Sequence, residues 1–433
     1  MTGVYSSLKC LRAISLFVGV LGLCVTASQP AQAQTYDVLY TFCSQPNCAD
    51  GAVPVAGLVL DAKGNLYGTT SVGGSDQYGT CCLSGGTVFE VTSSGTEKVL
   101  YNFCSQPNCA DGSVPSAGLI FDKSANAFKG GNLYGTTAYA GVNGGGTVFE
   151  LSPTGTEKVL YSFCSQPNCA DGEGPYAGLV RDAQGNLYGT TYWGGGPNLG
   201  TVFELTPAGI ETPLYAFTDD AGDANPSGGL VRDAQGNLYG TTQPFNFDGP
   251  LVPGTVFELT SAGAYKTLYA FCSKHNCGDG SAPFAGLVQD ARGNLYGTTG
   301  AGGNQSCYSG CGVVFKVTPS GKEKVLYAFC AQPNCADGAV PVAGLVLDTK
   351  GNLYGTSTGG GAFGYGTVFE LSPTGTEKVL YSFTGGADGG SPQAGLVRDG
   401  SGNLYGTTAG GGNNVVCGGV GGFGCGVVFK IKP

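Results

Sequence analysis

Carboxylates are the first residues of this chain whose spacing could do chemistry. Asp61, Asp122, Asp182, Asp233, Asp290, Asp348 and Asp399 recur at similar intervals, each closing a short apolar run. Ringed about an axis they could hold a cation, and two of them about 5–10 Å apart could hydrolyse a glycosidic bond. The competing reading is local. Each precedes a Gly-Asn turn, whose backbone N–H groups a short acidic side chain accepts, and this reading is preferred. Asp-Gly sequences at Asp50, Asp111, Asp171, Asp279, Asp337 and Asp388 are read in the same way, as turns before a recurring proline. One acidic group stands apart: Asp219, Asp220 and Asp223 lie where sister segments carry cysteines, and could bind Ca²⁺ in place of a staple. No other cofactor is expected.

Histidine chemistry is nearly excluded. His275 is the single histidine, and it stands where sister segments have Pro46, Pro107, Pro167 and Pro333. No sister segment supplies it with a partner base or nucleophile. The Gly-rich stretches are not phosphate loops, because no helix follows whose N-terminus could hold the anion.

Cysteine is the other reactive group. Of 18 cysteines, Cys10 and Cys24 fall in an N-terminal apolar segment. Five pairs share a C-x4-C spacing: Cys43/Cys48, Cys104/Cys109, Cys164/Cys169, Cys272/Cys277 and Cys330/Cys335. The two corresponding stretches, Thr218 to Pro226 and Thr384 to Pro392, lack both members together, as local pairing predicts. Cys307/Cys311 and Cys417/Cys425 are two further local pairs, while adjacent Cys81 and Cys82 form either a vicinal bridge or two separate links. Zinc would need four convergent ligands, and each C-x4-C belongs to a different unit. A disulfide framework in an exported chain is therefore expected.

These groups must be positioned by a repeat. Asn-Leu-Tyr-Gly-Thr begins at Asn65, Asn132, Asn186, Asn237, Asn294, Asn352 and Asn403. Each copy is followed by a Val-Phe run, ending at Phe89, Phe149, Phe203, Phe257, Phe315, Phe369 and Phe429. A Leu-Tyr-x-Phe run completes the unit. Every unit holds four short runs of strand character bounded by turn residues, and no helical periodicity is seen beyond the N-terminal segment. In the third unit the runs are 176–182, 186–191, 200–206 and 210–217. Four antiparallel strands repeated seven times predict an all-β, seven-bladed propeller over residues 34–433. An open solenoid is the alternative, but its coils are usually shorter.

The register at the two ends supports closure. Residue 34 onward opens with a fourth-strand motif, Leu39-Tyr40-Thr41-Phe42, and Val427-Val428-Phe429 is a third-strand motif. The N-terminal strand is expected to complete the last blade and leave no open sheet edge. In such a blade, the joint entering the first strand and the loop between second and third strands lie at one end. Every cysteine after residue 33 falls in one or the other, so all should rim one face of the disc.

The combination G-L-V-x-D-x-x-G-N-L-Y-G-T-T, then G-T-V-F-E-L, then L-Y-x-F resembles the Gloeobacter/Verrucomicrobia (GloVer) tandem repeat, over essentially all of residues 35–433. The units are also similar to NHL propeller repeats. The resemblance implies a bacterial surface or exported protein, often with a C-terminal sorting anchor, and the expectation here is that no such anchor is present. It implies no activity.

Aromatic residues in the variable second-to-third-strand loops are candidate ligand contacts: Tyr139, Tyr192, Trp193, Phe245, Phe247, Tyr308 and Tyr365, with Tyr78, Phe363 and Phe423 in the same loops. Such rings either offer faces to a sugar or peptide, or fold back over their own Gly-rich loops. Net charge is −10, which argues against nucleic acid and anionic lipid as partners. Residues 1–33 read as a signal peptide: Lys9 and Arg12, an apolar stretch from Ala13 to Ala27, then Ala31-Gln32-Ala33. After cleavage no membrane insertion is expected, and the protein would be secreted or periplasmic. The function expected is a non-catalytic binding or scaffold module for a glycan or protein. The alternative is a carboxylate-dependent hydrolase or lyase at the channel mouth, and a purely structural envelope role stays open.

Overall fold

The computed structural model describes residues 34–74, 85–122, 131–218, 223–243, 253–413 and 424–433. They form a propeller of seven four-stranded antiparallel sheets. Blade 1 comprises Val59–Leu60, Leu66–Thr70, Thr87–Val91 and Glu97–Asn102, and the next five follow the same order. Blade 7 is built from Val397–Arg398, Leu404–Thr408 and Val427–Lys432, and borrows Thr35–Thr41 as its fourth strand. That strand places Val38 opposite Phe429 and Tyr40 opposite Val428, so the ring closes as the sequence predicts.

Local rules make each blade. The third strand, Thr-Val-Phe-Glu-Leu in most copies, is buried on both faces except at its charged residue. Its phenylalanine sits opposite the glycine of Asn-Leu-Tyr-Gly-Thr, Phe89 against Gly68 in blade 1. A Cβ on Gly68 would lie 2.7 Å from both the Phe89 ring and Leu58, so only glycine admits that ring. A bulge between third and fourth strands recurs, Val88 pairing Tyr101 while Phe89 pairs Val99. This irregularity turns the Leu-Tyr pair of the fourth strand away from simple alternation.

Blades are joined by aromatic and backbone contacts. Phe42 meets Phe89 edge-on at 5.0 Å between centroids, and the contact recurs round the ring to Phe383 and Phe429 at 5.3 Å. Each such pair stabilises by about 0.5–1.5 kcal/mol beyond its burial. At the inner edge, Gly118 lies against the carbonyl of Gly57, Gly178 against Gly118, and so on to Gly57 against Gly395. A side chain at Gly286 would come within 2.9 Å of the Gly229 carbonyl, which is why the position stays bare.

The first strands are shorter than expected. In blade 3, only Val180–Arg181 pairs with the second strand, although 176–182 has strand character. The preceding Pro-x-Ala-Gly residues turn to the neighbouring blade instead. There the Ala177 carbonyl accepts a hydrogen bond from the Thr136 hydroxyl at 3.2 Å, and five other joints repeat this bond.

Candidate functional site

The face that carries the inter-blade joints is built on buried carboxylates. Asp50 is fully buried and accepts from the Ser44 N–H at 2.9 Å, the Gln45 N–H at 3.3 Å and the Tyr40 hydroxyl at 2.6 Å. Asp111, Asp171, Asp279 and Asp337 repeat the arrangement. The sequence suggested only a turn here. The carboxylates are in fact anchors that hold each joint to the outer strand. For Asp279, burial opposes ionisation but the Tyr269 and Ser273 donors outweigh it, and its pKa falls below the ordinary value.

Disulfides close the same joints. Cys43–Cys48, Cys104–Cys109, Cys164–Cys169, Cys272–Cys277 and Cys330–Cys335 pair as predicted, and Cys307–Cys311 pairs within its loop. Cys425 is also disulfide-bonded, whereas Cys417, Cys81 and Cys82 lie outside the described residues. The second cysteine of each staple accepts, through its carbonyl, an N–H from the second-to-third-strand loop, as Cys109 does from Gly141 at 3.0 Å. Joints and loops therefore share one face, as the strand order implied.

On the opposite face the repeat aspartates serve their own turns. Asp182 takes the Gln184 and Asn186 N–H groups at 2.9 and 2.8 Å. Burial would raise its pKa, but those donors with Tyr188 lower it instead. Asp61, Asp233, Asp290, Asp348 and Asp399 do the same, and Asp122 accepts from Arg181 at 2.6 Å. A cavity of about 210 Å³ lies on this face beside Tyr67, Lys98 and Glu90. There Phe121 stands in the place from which Arg181, Arg232 and Arg398 cover the tyrosines of other blades.

The larger concavity, about 640 Å³, is on the disulfide face across blades 3 to 5. Its lining among the described residues is Tyr176, Tyr192, Trp193, Asn198, Asn225, Ser227, Gln243 and Phe284, none of them acidic or basic. Tyr176, Tyr192 and Trp193 meet edge-on at 5.0–5.8 Å between centroids. Trp193 lies over Gly174, where a Cβ would come within 2.8 Å of the indole. The polar groups are held too. Asn225 donates to the Tyr192 carbonyl at 2.9 Å, Asn198 accepts the Gly194 N–H at 2.8 Å, and Ser227 donates to the Phe284 carbonyl at 3.2 Å. Half of each asparagine amide is left without a protein partner among the described residues. Burial pushes the Tyr192 hydroxyl up to about 12, so it stays protonated as a donor.

Of the aromatic candidates, Tyr192 and Trp193 line this cavity. Tyr139 joins it at one remove, its hydroxyl accepting from that of Tyr176. Tyr308 projects fully into solvent, and Tyr365 packs over Gly385 of its own joint. Phe245, Phe247, Asp219 and Asp220 lie outside the described residues. Asp223 is buried, 3% exposed, beside Tyr265. His275 is exposed at the first position of its short 3₁₀ turn.

Sequence reasoning missed Tyr176 and Phe284, although a signal existed. The residue after each repeat proline is Val55, Ser116, Tyr176, Ser227, Phe284, Val342 or Gln393, and the two rings stand out. The sector is irregular in its backbone as well. Gly228 replaces the usual alanine, and the buried Thr190 hydroxyl is the one repeat threonine left without a partner.

A family model described as the Gloeobacter/Verrucomicrobia repeat matches residues 124–350 and 305–433. The chain belongs to this repeat family. No curated protein matches it. Among solved structures, this GloVer propeller is similar to PorZ, a surface component of the type-IX secretion system of Porphyromonas gingivalis. Identity there is 14%, over 87% of this chain and 46% of that one, with a TM-score of 0.48. A luciferin-regenerating enzyme is 14% identical over 74% of this chain and 91% of its own, TM-score 0.41. A proposed 6-phosphogluconolactonase from Bacteroides uniformis is 16% identical over 81% and 87%, TM-score 0.44. The several disulfides of the GloVer chain fit an oxidising compartment. No helix among the described residues is long and apolar enough to cross a membrane.

Proposed function

We propose that this protein is an exported binding propeller that takes an uncharged glycan in the cavity of blades 3 to 5. The observation that carries it is the described lining: four aromatic side chains with Asn198, Asn225, Ser227 and Gln243, all of them uncharged. Aromatic faces pack against the C–H face of a pyranose, and amides bridge neighbouring hydroxyls. The volume falls in the range of about 300–1,000 Å³ usual for small-ligand sites. A phosphorylated or uronic acid ligand would find no cation among the described lining residues. Residues 1–33 serve as the export signal in this reading, and the disulfides suit the compartment beyond it.

The test is a neutral-oligosaccharide array followed by titration calorimetry of the best hits. Trp193→Ala and Phe284→Ala should each weaken binding at least tenfold, while Tyr308→Ala, on an isolated exposed ring, should not. Absence of any neutral glycan signal, or binding indifferent to both variants, would remove the proposal.

A further inference from the structure

Blade 5 brings two disulfides into contact. Cys307–Cys311 lies in its second-to-third-strand loop and Cys330–Cys335 in the joint that follows its fourth strand. The Cys307 and Cys330 sulfurs are 3.7 Å apart, and all four sulfurs lie within 4.8 Å of one another. Cys311 and Cys330 are buried, 0% and 6% exposed, while Cys307 is partly open to solvent. The loop is fixed over the joint: Asn304 donates to the Cys330 carbonyl at 2.6 Å, and the Val340 N–H to that of Cys311 at 2.8 Å. A second group has a related form. Cys43, Cys48 and Cys425 also lie within 4.8 Å of one another, but all three are buried.

We propose that the four cysteines of blade 5 form a thiol–disulfide exchange site whose partner is an external dithiol. A thiolate of that partner attacks the exposed Cys307 sulfur, and Cys311 leaves as a thiolate. The partner's second thiol resolves the mixed disulfide, so the partner ends oxidised and Cys307 is released as a thiolate. Cys307 then attacks the Cys330 sulfur beside it. The Cys307–Cys330 bond forms, the Cys330–Cys335 bond breaks, and Cys335 leaves as a thiolate. Two electrons have entered, and one disulfide now ties the loop to the joint. Cys311 and Cys335 remain as a thiol pair able to be oxidised again.

Single substitutions start the internal step without any reductant. In Cys311→Ser, the freed Cys307 should displace Cys335. In Cys335→Ser, the freed Cys330 should displace Cys311. Both full-length variants, alkylated and digested without reduction, should yield mainly the Cys307–Cys330 cross-linked peptide, with the displaced cysteine alkylated. Native protein given substoichiometric dithiothreitol should show the same peptide before Cys43–Cys48 is opened. If Cys311→Ser keeps Cys330–Cys335 intact with Cys307 alkylated, and Cys335→Ser keeps Cys307–Cys311, the exchange site does not exist. Opening of Cys43–Cys48 first would likewise overturn it.

Discussion

Five joints of the ring are stapled and two are not, and the two kinds pack differently against the next blade. In the stapled joints, the fourth strand of the following blade begins with Glu97, Glu157, Glu211, Glu323 or Glu377; four of them are set against the buried joint aspartate, and Glu323 pairs with Lys274. In the unstapled joints that position is a tyrosine. Tyr265 stacks on Tyr215 at 4.1 Å, and Tyr36 on Tyr381 at 3.9 Å. A covalent staple thus accompanies a carboxyl pair, and an aromatic stack replaces both. The difference has a physical basis. A buried pair of acids holds the blades together poorly, so the joint needs the disulfide to keep its N–H donors on the aspartate. Stacked rings hold the interface by burial and by their hydroxyls, as Tyr36 donates to the Asp388 carbonyl.

Removing a ring from an unstapled joint should have the largest effect. Tyr265 is half-buried, so Tyr265→Ala is expected to cost about 2–3 kcal/mol in urea denaturation, below the range for fully buried aromatic truncations. Glu211→Ala, its counterpart in a stapled joint, should cost a small fraction of that. Equal losses would show that the two joints are not alternatives. Next comes the staple itself. Replacing Cys164 and Cys169 by serine should lower stability by about 2 kcal/mol, from the entropy of so short a loop. A loss near zero in the same denaturation would mean that Asp171 holds the joint unaided.

The smallest effect is set by pH. Burial, then the Asp50 carboxylate, raises the Glu97 pKa to about 7, and Glu157, Glu211 and Glu377 reach about 7 through burial and Asp111, Asp171 and Asp337. The folded state therefore binds these protons more tightly than the unfolded chain. Their contribution is complete below the ordinary glutamate value of 4.5 and is lost as pH rises to about 7. Melting temperature should be higher at pH 5 than at pH 8, and replacing the four glutamates by glutamine should flatten the difference. In stronger acid the turn aspartates act in the other direction. Asp182, Asp233, Asp290, Asp348 and Asp399 have lowered pKa values, so their stabilisation disappears as pH falls below the usual carboxylate range.

Much of this was open to reading before any coordinates. Blade number and closure followed from the copies of Asn-Leu-Tyr-Gly-Thr and from Tyr40 preceding any first strand, because a strand period is a local property. The cysteine face followed from strand order alone. The cavity did not. Tyr176 and Trp193 belong to one repeat, Ser227 and Phe284 to the next two, and only the wrap of the ring brings them together. The Asp50 anchor was missed for another reason: its donors, Ser44, Gln45 and Tyr40, are local, but only the fold of the joint back onto the outer strand brings the Tyr40 hydroxyl to the carboxylate. The exchange of glutamate for tyrosine wherever the cysteines are lost was nevertheless present in the aligned repeats.

The borrowed strand has a kinetic cost. Thr35 must find Lys432, so a segment that precedes every other blade strand stays unpaired until the last blade has been made. Contacts so distant in sequence form slowly, because a long loop must close before they reward the chain. Until then blade 7 presents a bare third strand, and Thr35–Thr41 is a loose β segment suited to annealing onto another copy. Once latched, the same pairing opposes fraying of blade 7, since neither partner strand can peel away without breaking the circle.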